Sequence, residues 1–225
     1  MRREDERAAT YARLLEEVLR VIPARLEDSQ LPLHILLDSP FGELNENQEE
    51  LLGAAHSAIE AADREVRLLR KLLDLERGAV TFVKQPMGVA ELLRAPLAIA
   101  AARAEKAGVS HRWSVPIELP RVLVDPTHMP EALTSALGIA IGRTPAGGAL
   151  VVEAREAEDG SRISISITHG DGVNDFSADG LLARRTIELQ DGTITNGARI
   201  TVIELPAERF GTPSGGMPRT SGPHE

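Results

Sequence analysis

From Asn45 onward the apolar residues Leu52, Ala55, Ile59, Ala62, Val66, Leu69 and Leu73 recur in steps of three and four, the stripe that one face of a long helix turns toward a neighbouring helix. A stripe of that length is unstable in water, so the chain has to supply something to cover it. Asn45 followed by Gln48 predicts a capping box at the start of this helix, because Asn45 accepts from an early backbone N–H while Gln48 reaches back to the cap. Upstream, Leu15, Leu19, Ile22, Leu26, Ser29, Leu33 and Leu36 keep the same rhythm with one polar break, which predicts a first helix. Pro23 and Pro32 inside that pattern predict local bending. With Ser39-Pro40-Phe41-Gly42 as the turn between them, the two helices form an antiparallel hairpin. No third long helix follows to cover the remaining apolar surface, so pairing with a second copy into a dimeric four-helix bundle is the expected solution.

Near Gly78 the pattern changes to β-branched residues and short alternating runs. A helix is expected over Val89–Lys106, a strand over Trp113–Leu119, and a helix opened by Asp125 as N-cap and Pro126 in its first turn. Strands are expected at Ala149–Ala154 and Arg162–Thr168, the latter with Ile163, Ile165 and Ile167 on one face and serines on the other. A helix over Leu181–Leu189 and a hairpin over Thr193–Leu205 turning at Asn196-Gly197 complete an α/β layer. The Gly-, Pro- and Ser-rich end is expected to be disordered. The resulting division is an N-terminal segment (1–13), a dimerisation hairpin (14–77), an α/β domain (78–206) and a tail (207–225). The fold class is α+β.

A formal charge of −9 over 225 residues repels phosphate backbones, and Arg64, Arg67, Arg70 and Lys71 are interleaved with Asp63, Glu65 and Asp74. Nucleic acid is therefore not an expected partner. The apolar runs are too short and too often charged to span a bilayer, and Met-Arg-Arg-Glu-Asp-Glu-Arg is not a signal peptide. No membrane partner and a cytoplasmic location are expected. The chain has no cysteine, so it has neither disulfides nor thiolate metal sites.

Glu27-Asp-Ser-Gln-Leu-Pro-Leu33 resembles the His-Glu-Leu-Arg-Thr-Pro-Leu box of bacterial sensor histidine kinases, with Glu27 where the phosphorylated histidine belongs. The resemblance continues in order through roughly Leu14 to Pro206. Gly42-Glu-Leu-Asn-Glu-Asn-Gln48 is similar to the family's interhelical turn, and Leu72-Leu-Asp-Leu75 to the end of its second helix. Val124-Asp-Pro126 is similar to the start of its asparagine-bearing helix; Glu188-Leu-Gln-Asp-Gly192 and Ile200-Thr-Val202 are similar to its last helix and strand. It implies a GHKL-type ATPase α/β sandwich after the hairpin.

The chemistry implied by the family is another matter. A carboxylate at Glu27 is a poor nucleophile toward phosphate, whereas imidazole is a good one near neutral pH. The asparagine positions that hold Mg²⁺ and phosphate in the family fall on Ser135 and Ile139, and isoleucine cannot coordinate a hard cation. The Asp-x-Gly-x-Gly box reads Thr168-His-Gly-Asp-Gly172, keeping Gly170 and Gly172 and losing the aspartate that reads adenine. The second glycine box is reduced to Ser177-Ala-Asp-Gly180, and the stretch from Gly172 to Leu181 is short for a lid. The phosphatase positions fare no better: Asp28 matches the acidic one, but Leu31 stands where a water-orienting residue is required. The expectation is a degenerate member without a cofactor, a pseudokinase or adaptor. It would bind a response-regulator receiver domain or a histidine kinase through Glu27, Asp28, Leu31 and His34.

The six histidines bear on the alternatives. His34 lies two helical turns after Glu27, either a rim residue of the bundle or a relocated phosphoacceptor; His56 flanks the second stripe with the same two readings. His128 and Glu131 share a helix face, but two ligands without a third make no metal site. His169 is expected as a turn residue, and His111 and His224 carry no motif. An ATP-independent phosphotransferase using His34 or His56 and a residual histidine kinase are thus the alternatives to an adaptor.

Overall fold

The computed structural model describes residues 2–38, 42, 44–172 and 177–208, with residues 2–14 described by backbone alone. The Ser39-Pro40-Phe41 turn, Glu43, the middle of the expected short lid (173–176) and the tail from 209 lie outside the described residues.

Helix α1 (Arg2–Leu37) and helix α2 (Glu46–Glu76) form the hairpin. They run antiparallel: Glu16 pairs with Arg77 at one end, and the rings of His34 and His56 lie 6.2 Å apart near the other. The predicted capping box is present, with Gln48 N–H donating to Asn45 Oδ1 and Asn45 N–H to Gln48 Oε1, both at 3.0 Å. Helix α1 begins at Arg2 and runs unbroken through position 14, and Pro23 and Pro32 both lie inside it. Within the hairpin only Leu19, Val66 and Leu75 are buried apolar side chains among the described residues. Leu15, Val18, Val21, Leu51 and Leu69 stand exposed.

The remaining elements are β1 (Gln85–Met87), α3 (Val89–Lys106), β2 (Ser110–Ser114), β3 (Val122–Val124), α4 (His128–Gly142), β4 (Ala149–Glu156), β5 (Arg162–Thr168), α5 (Ala178–Glu188), β6 (Thr193–Asn196) and β7 (Ile200–Pro206). Five strands form one sheet in the order β2-β4-β5-β7-β6. Strand β2 is parallel to β4, and the other pairings are antiparallel. The register sets Ile165 opposite Ile203 and Val152 opposite Ile167, so the alternating isoleucines of β5 enter the core beneath α3 and α4, against Leu92, Leu133 and Leu137. Ser164, on the opposite face of β5, is buried as well. Strands β1 and β3 make a separate two-stranded ribbon.

Two expectations are corrected here. The strand predicted at Trp113–Leu119 is instead Ser110–Ser114. Pro116 has no N–H for a ladder and restricts Val115 before it, so the chain leaves the sheet and Ile117 is 88% exposed. Helix α4 starts at His128 rather than at Pro126, with Thr127 at its cap position making no side-chain bond. Asp125 still satisfies the helix start from two residues further back: its Oδ1 accepts from Thr127 and His128 N–H at 2.9 and 3.0 Å.

The end of α2 packs against the α/β domain. Leu75 is buried, Glu76 pairs with Arg185 at 2.7 Å, and Lys71 pairs with Glu131 at 3.5 Å. These contacts join α2 to α5 and α4.

Candidate functional site

Of the positions that the family resemblance assigns to nucleotide, Ser135 and Ile139 of α4 face Asp179 and Gly180 at the start of α5. Ser135 Oγ donates to Asp179 Oδ1 at 2.8 Å, so the hydroxyl on α4 is engaged by a carboxylate in the first turn of α5. One helical turn further along α4, Ile139 lies against Gly180, where an added Cβ would come within 3.1 Å of the Ile139 Cδ1 methyl. Ser177 caps α5 by accepting from Gly180 N–H at 3.1 Å. The first turn of α5 therefore lies directly on the face of α4 that carries Ser135 and Ile139. Beside it a small cavity of 220 Å³ remains, lined by Ile139, Ser177, Arg184, Asn196 and Thr201 among others.

Glycines 170 and 172 have a local reason to be glycine. A Cβ at Gly170 would fall 2.5 Å from the Arg143 carbonyl oxygen, and one at Gly172 would fall 2.7 Å from the same atom. Gly170 N–H donates to Thr144 Oγ1 at 3.0 Å and Gly172 N–H to Arg143 O at 3.1 Å. The turn lies flat on the C-terminal end of α4, and any side chain would lift it off. Thr168, the last residue of β5, is exposed and offers a hydroxyl where the family has a carboxylate.

His169 differs from its expected role as a plain turn residue, because it is 2% exposed. Its Nδ1 lies 2.6 Å from Gly170 O; a carbonyl only accepts, so Nδ1 donates. Its Nε2 lies 3.2 Å from Thr201 Oγ1, and that hydroxyl lies 3.1 Å from Asn196 Oδ1. This chain ties the glycine turn to β7 and β6.

On the hairpin, Glu27, Asp28, Leu31 and His34 lie on one face of α1. With Pro32 and His56 they line one open groove of 600 Å³. Leu31 is 65% exposed, an apolar side chain turned outward between acidic neighbours. His56 Nδ1 lies 3.9 Å from Glu60, and no group of metal-ligating side chains is present among the described residues. His128, paired with Glu131 in the sequence, instead directs its Nδ1 to Asp125 Oδ1 at 2.9 Å.

Asp125 is bonded to several elements of the α/β domain, and the sequence pattern indicates only its part at the helix start. Besides Thr127 and His128, it accepts from Val83 N–H at 2.7 Å, and its own N–H donates to the fully buried Gln190 at 2.7 Å. Burial alone pushes its pKa upward. The hydrogen bonds from the backbone and ring of His128 and from the backbones of Val83 and Thr127 outweigh that, and the carboxyl is held at about 2. The Asp-Pro pair was the available signal; its partners at positions 83 and 190 carry none.

Likeness to known proteins is found in shape and not in sequence. No family model matches the chain, and no curated protein matches it. Among solved structures it is similar to the histidine kinase AdeS of Acinetobacter baumannii, with a TM-score of 0.60 and 16% identity over 85% of this chain and 98% of that one. It is similar also to full-length ShkA in complex with AMPPNP, with a TM-score of 0.61 and 20% identity over 83% of this chain. The match spans 45% of the ShkA chain. The hairpin and the α/β domain together thus have the histidine-kinase fold. Among the described residues no helix is long and apolar enough to cross a membrane.

Proposed function

We infer that the chain is a histidine-kinase-like adaptor of two-component signalling, a cytoplasmic homodimer that binds a receiver domain or a kinase without itself carrying out phosphoryl transfer. The observation that carries this reading is the contact of α5 with α4. The two positions that would hold magnesium and phosphate are a serine hydroxyl engaged by Asp179 and an isoleucine packed on Gly180. Isoleucine has no oxygen to offer a hard divalent cation, the Ser135 hydroxyl is already donated to Asp179, and the Asp179 carboxylate adds negative charge where a nucleotide would bring more. A shared fold does not fix chemistry, so the argument rests on these residues and not on the likeness. The experiment is a calorimetric titration with ATP and magnesium. No saturable heat at millimolar nucleotide is expected, and magnesium-dependent binding would overturn the reading.

The groove around Glu27, Asp28, Leu31 and His34 is the proposed partner surface, with an exposed leucine as its apolar contact. Glu27→Arg should weaken capture of a receiver domain at least tenfold. The rival reading, an ATP-independent phosphotransferase, draws on the approach of the His34 and His56 rings over that same groove. Incubation with a phosphorylated receiver separates the two: acid-labile phosphate on the wild type, lost in His34→Ala or His56→Ala, would establish the phosphotransferase instead.

A further inference from the structure

A second cavity, of 320 Å³, lies where the hairpin meets the α/β domain and is walled by α2, α4 and α5. Its size falls in the range of small-molecule pockets. Its walls are largely apolar, with Leu68 and Leu75 from α2, Ala132 from α4 and Leu182 from α5. The charges around it are unbalanced. Lys71 is already matched by Glu131 at 3.5 Å. Asp179 receives only a neutral hydroxyl, from Ser135. Asp74 lines the cavity half-buried and has no cationic partner among the described residues. Three carboxylates, of Asp74, Glu131 and Asp179, line the cavity against one ammonium, of Lys71, and that excess of negative charge favours a cation over an anion.

We propose that this junction cavity binds a small organic cation with an apolar body, its ammonium on Asp74 and its body against Leu68, Leu75 and Ala132. The occupant touches both the hairpin and the α/β domain, so binding stabilises their docked arrangement in proportion to its concentration over its dissociation constant. The site is separate from the hairpin groove, but Ser135 and Asp179 also line it, so it rests in part on the α4–α5 contact behind the adaptor reading; titration with ATP and magnesium in the absence of tryptamine tests that reading by itself.

The test is calorimetry on the full chain with tryptamine as probe, and with indole and indole-3-acetate as controls of the same ring body but neutral or negative charge. Saturable one-to-one binding of tryptamine is expected, with binding of the anion at least tenfold weaker. Asp74→Asn, a change at a half-buried position, should weaken tryptamine at least tenfold. Ala132→Leu, which fills the cavity, should abolish binding with an unchanged circular dichroism spectrum. Absence of saturable tryptamine binding, equal binding of indole-3-acetate, or an unchanged affinity in Asp74→Asn would each overturn the proposal.

Discussion

The hairpin and the α/β domain use apolar residues in opposite ways. In the hairpin, burial stops at Leu19, Val66 and Leu75, while leucines and valines at 15, 18, 21, 51 and 69 face outward. Among the described residues every other buried apolar side chain lies at Val89 or beyond, where α3, α4 and α5 close over a sheet whose isoleucines are almost wholly shielded. A unit that shields its own core is complete by itself. A two-helix unit with apolar residues on its outer faces leaves that surface in water. The α/β domain therefore holds most of the buried apolar surface of the described residues, and the hairpin most of its exposed apolar stripe.

This contrast makes specific demands on substitutions. Leu133→Ala removes a side chain with 1% exposure and should cost about 2–5 kcal/mol in urea unfolding followed by Trp113 fluorescence. Leu51→Ala, at 71% exposure, should change the same midpoint by less than about 0.5 kcal/mol. Similar losses for the two would erase the distinction.

Asp125→Ala probes the contact between Val83, in the stretch before β1, and the start of α4. It leaves the N–H groups of Val83, Thr127 and His128 without their acceptor, and thermal unfolding should show a loss of roughly 2–4 kcal/mol.

The same carboxylate predicts an acid limb. Its folded pKa of about 2 lies below the ordinary 3.8, so the stabilisation is fully present above pH 4 and is lost as pH falls through 2. The difference corresponds to about 2 kcal/mol. Asp125→Asn should flatten that part of the stability–pH curve, and an unchanged acid limb would remove Asp125 from the account.

Ile59→Asp should have the smallest effect on the α/β domain, below about 0.5 kcal/mol in its unfolding. Its consequence should appear in light scattering, as a halving of the mass. A wild-type monomer at micromolar concentration would refute the dimer outright.

Where local pattern was strong, the sequence was legible. The period of the second helix, the Asn45–Gln48 capping box, the span of α3, the strands around Ala149 and Arg162 and the turn at Asn196-Gly197 all follow from side-chain period or turn chemistry acting over a few residues. Strands β1 and β3 span only Gln85–Met87 and Val122–Val124, too short for alternation to register. The misplaced strand at Trp113 came from extending a β-branched run through Pro116. In the candidate site, the identities of Ser135, Ile139, Thr168, Gly170 and Gly172 were legible, but their surroundings were not. Nothing near Ser135 in the chain announces Asp179, and nothing in the glycine box indicates that Gly170 and Gly172 rest on the Arg143 carbonyl.

The order of elements, the long apolar stripe and the carboxylate at Glu27 are properties of the chain itself, because period and residue chemistry act locally. The closing of α5 onto α4, the burial of His169, the bonds that Asp125 makes to Val83 and Gln190, and the cavity at the domain junction exist only after folding. Each joins residues tens of positions apart, and such contacts depend on how helices and strands pack in three dimensions, which no local pattern encodes.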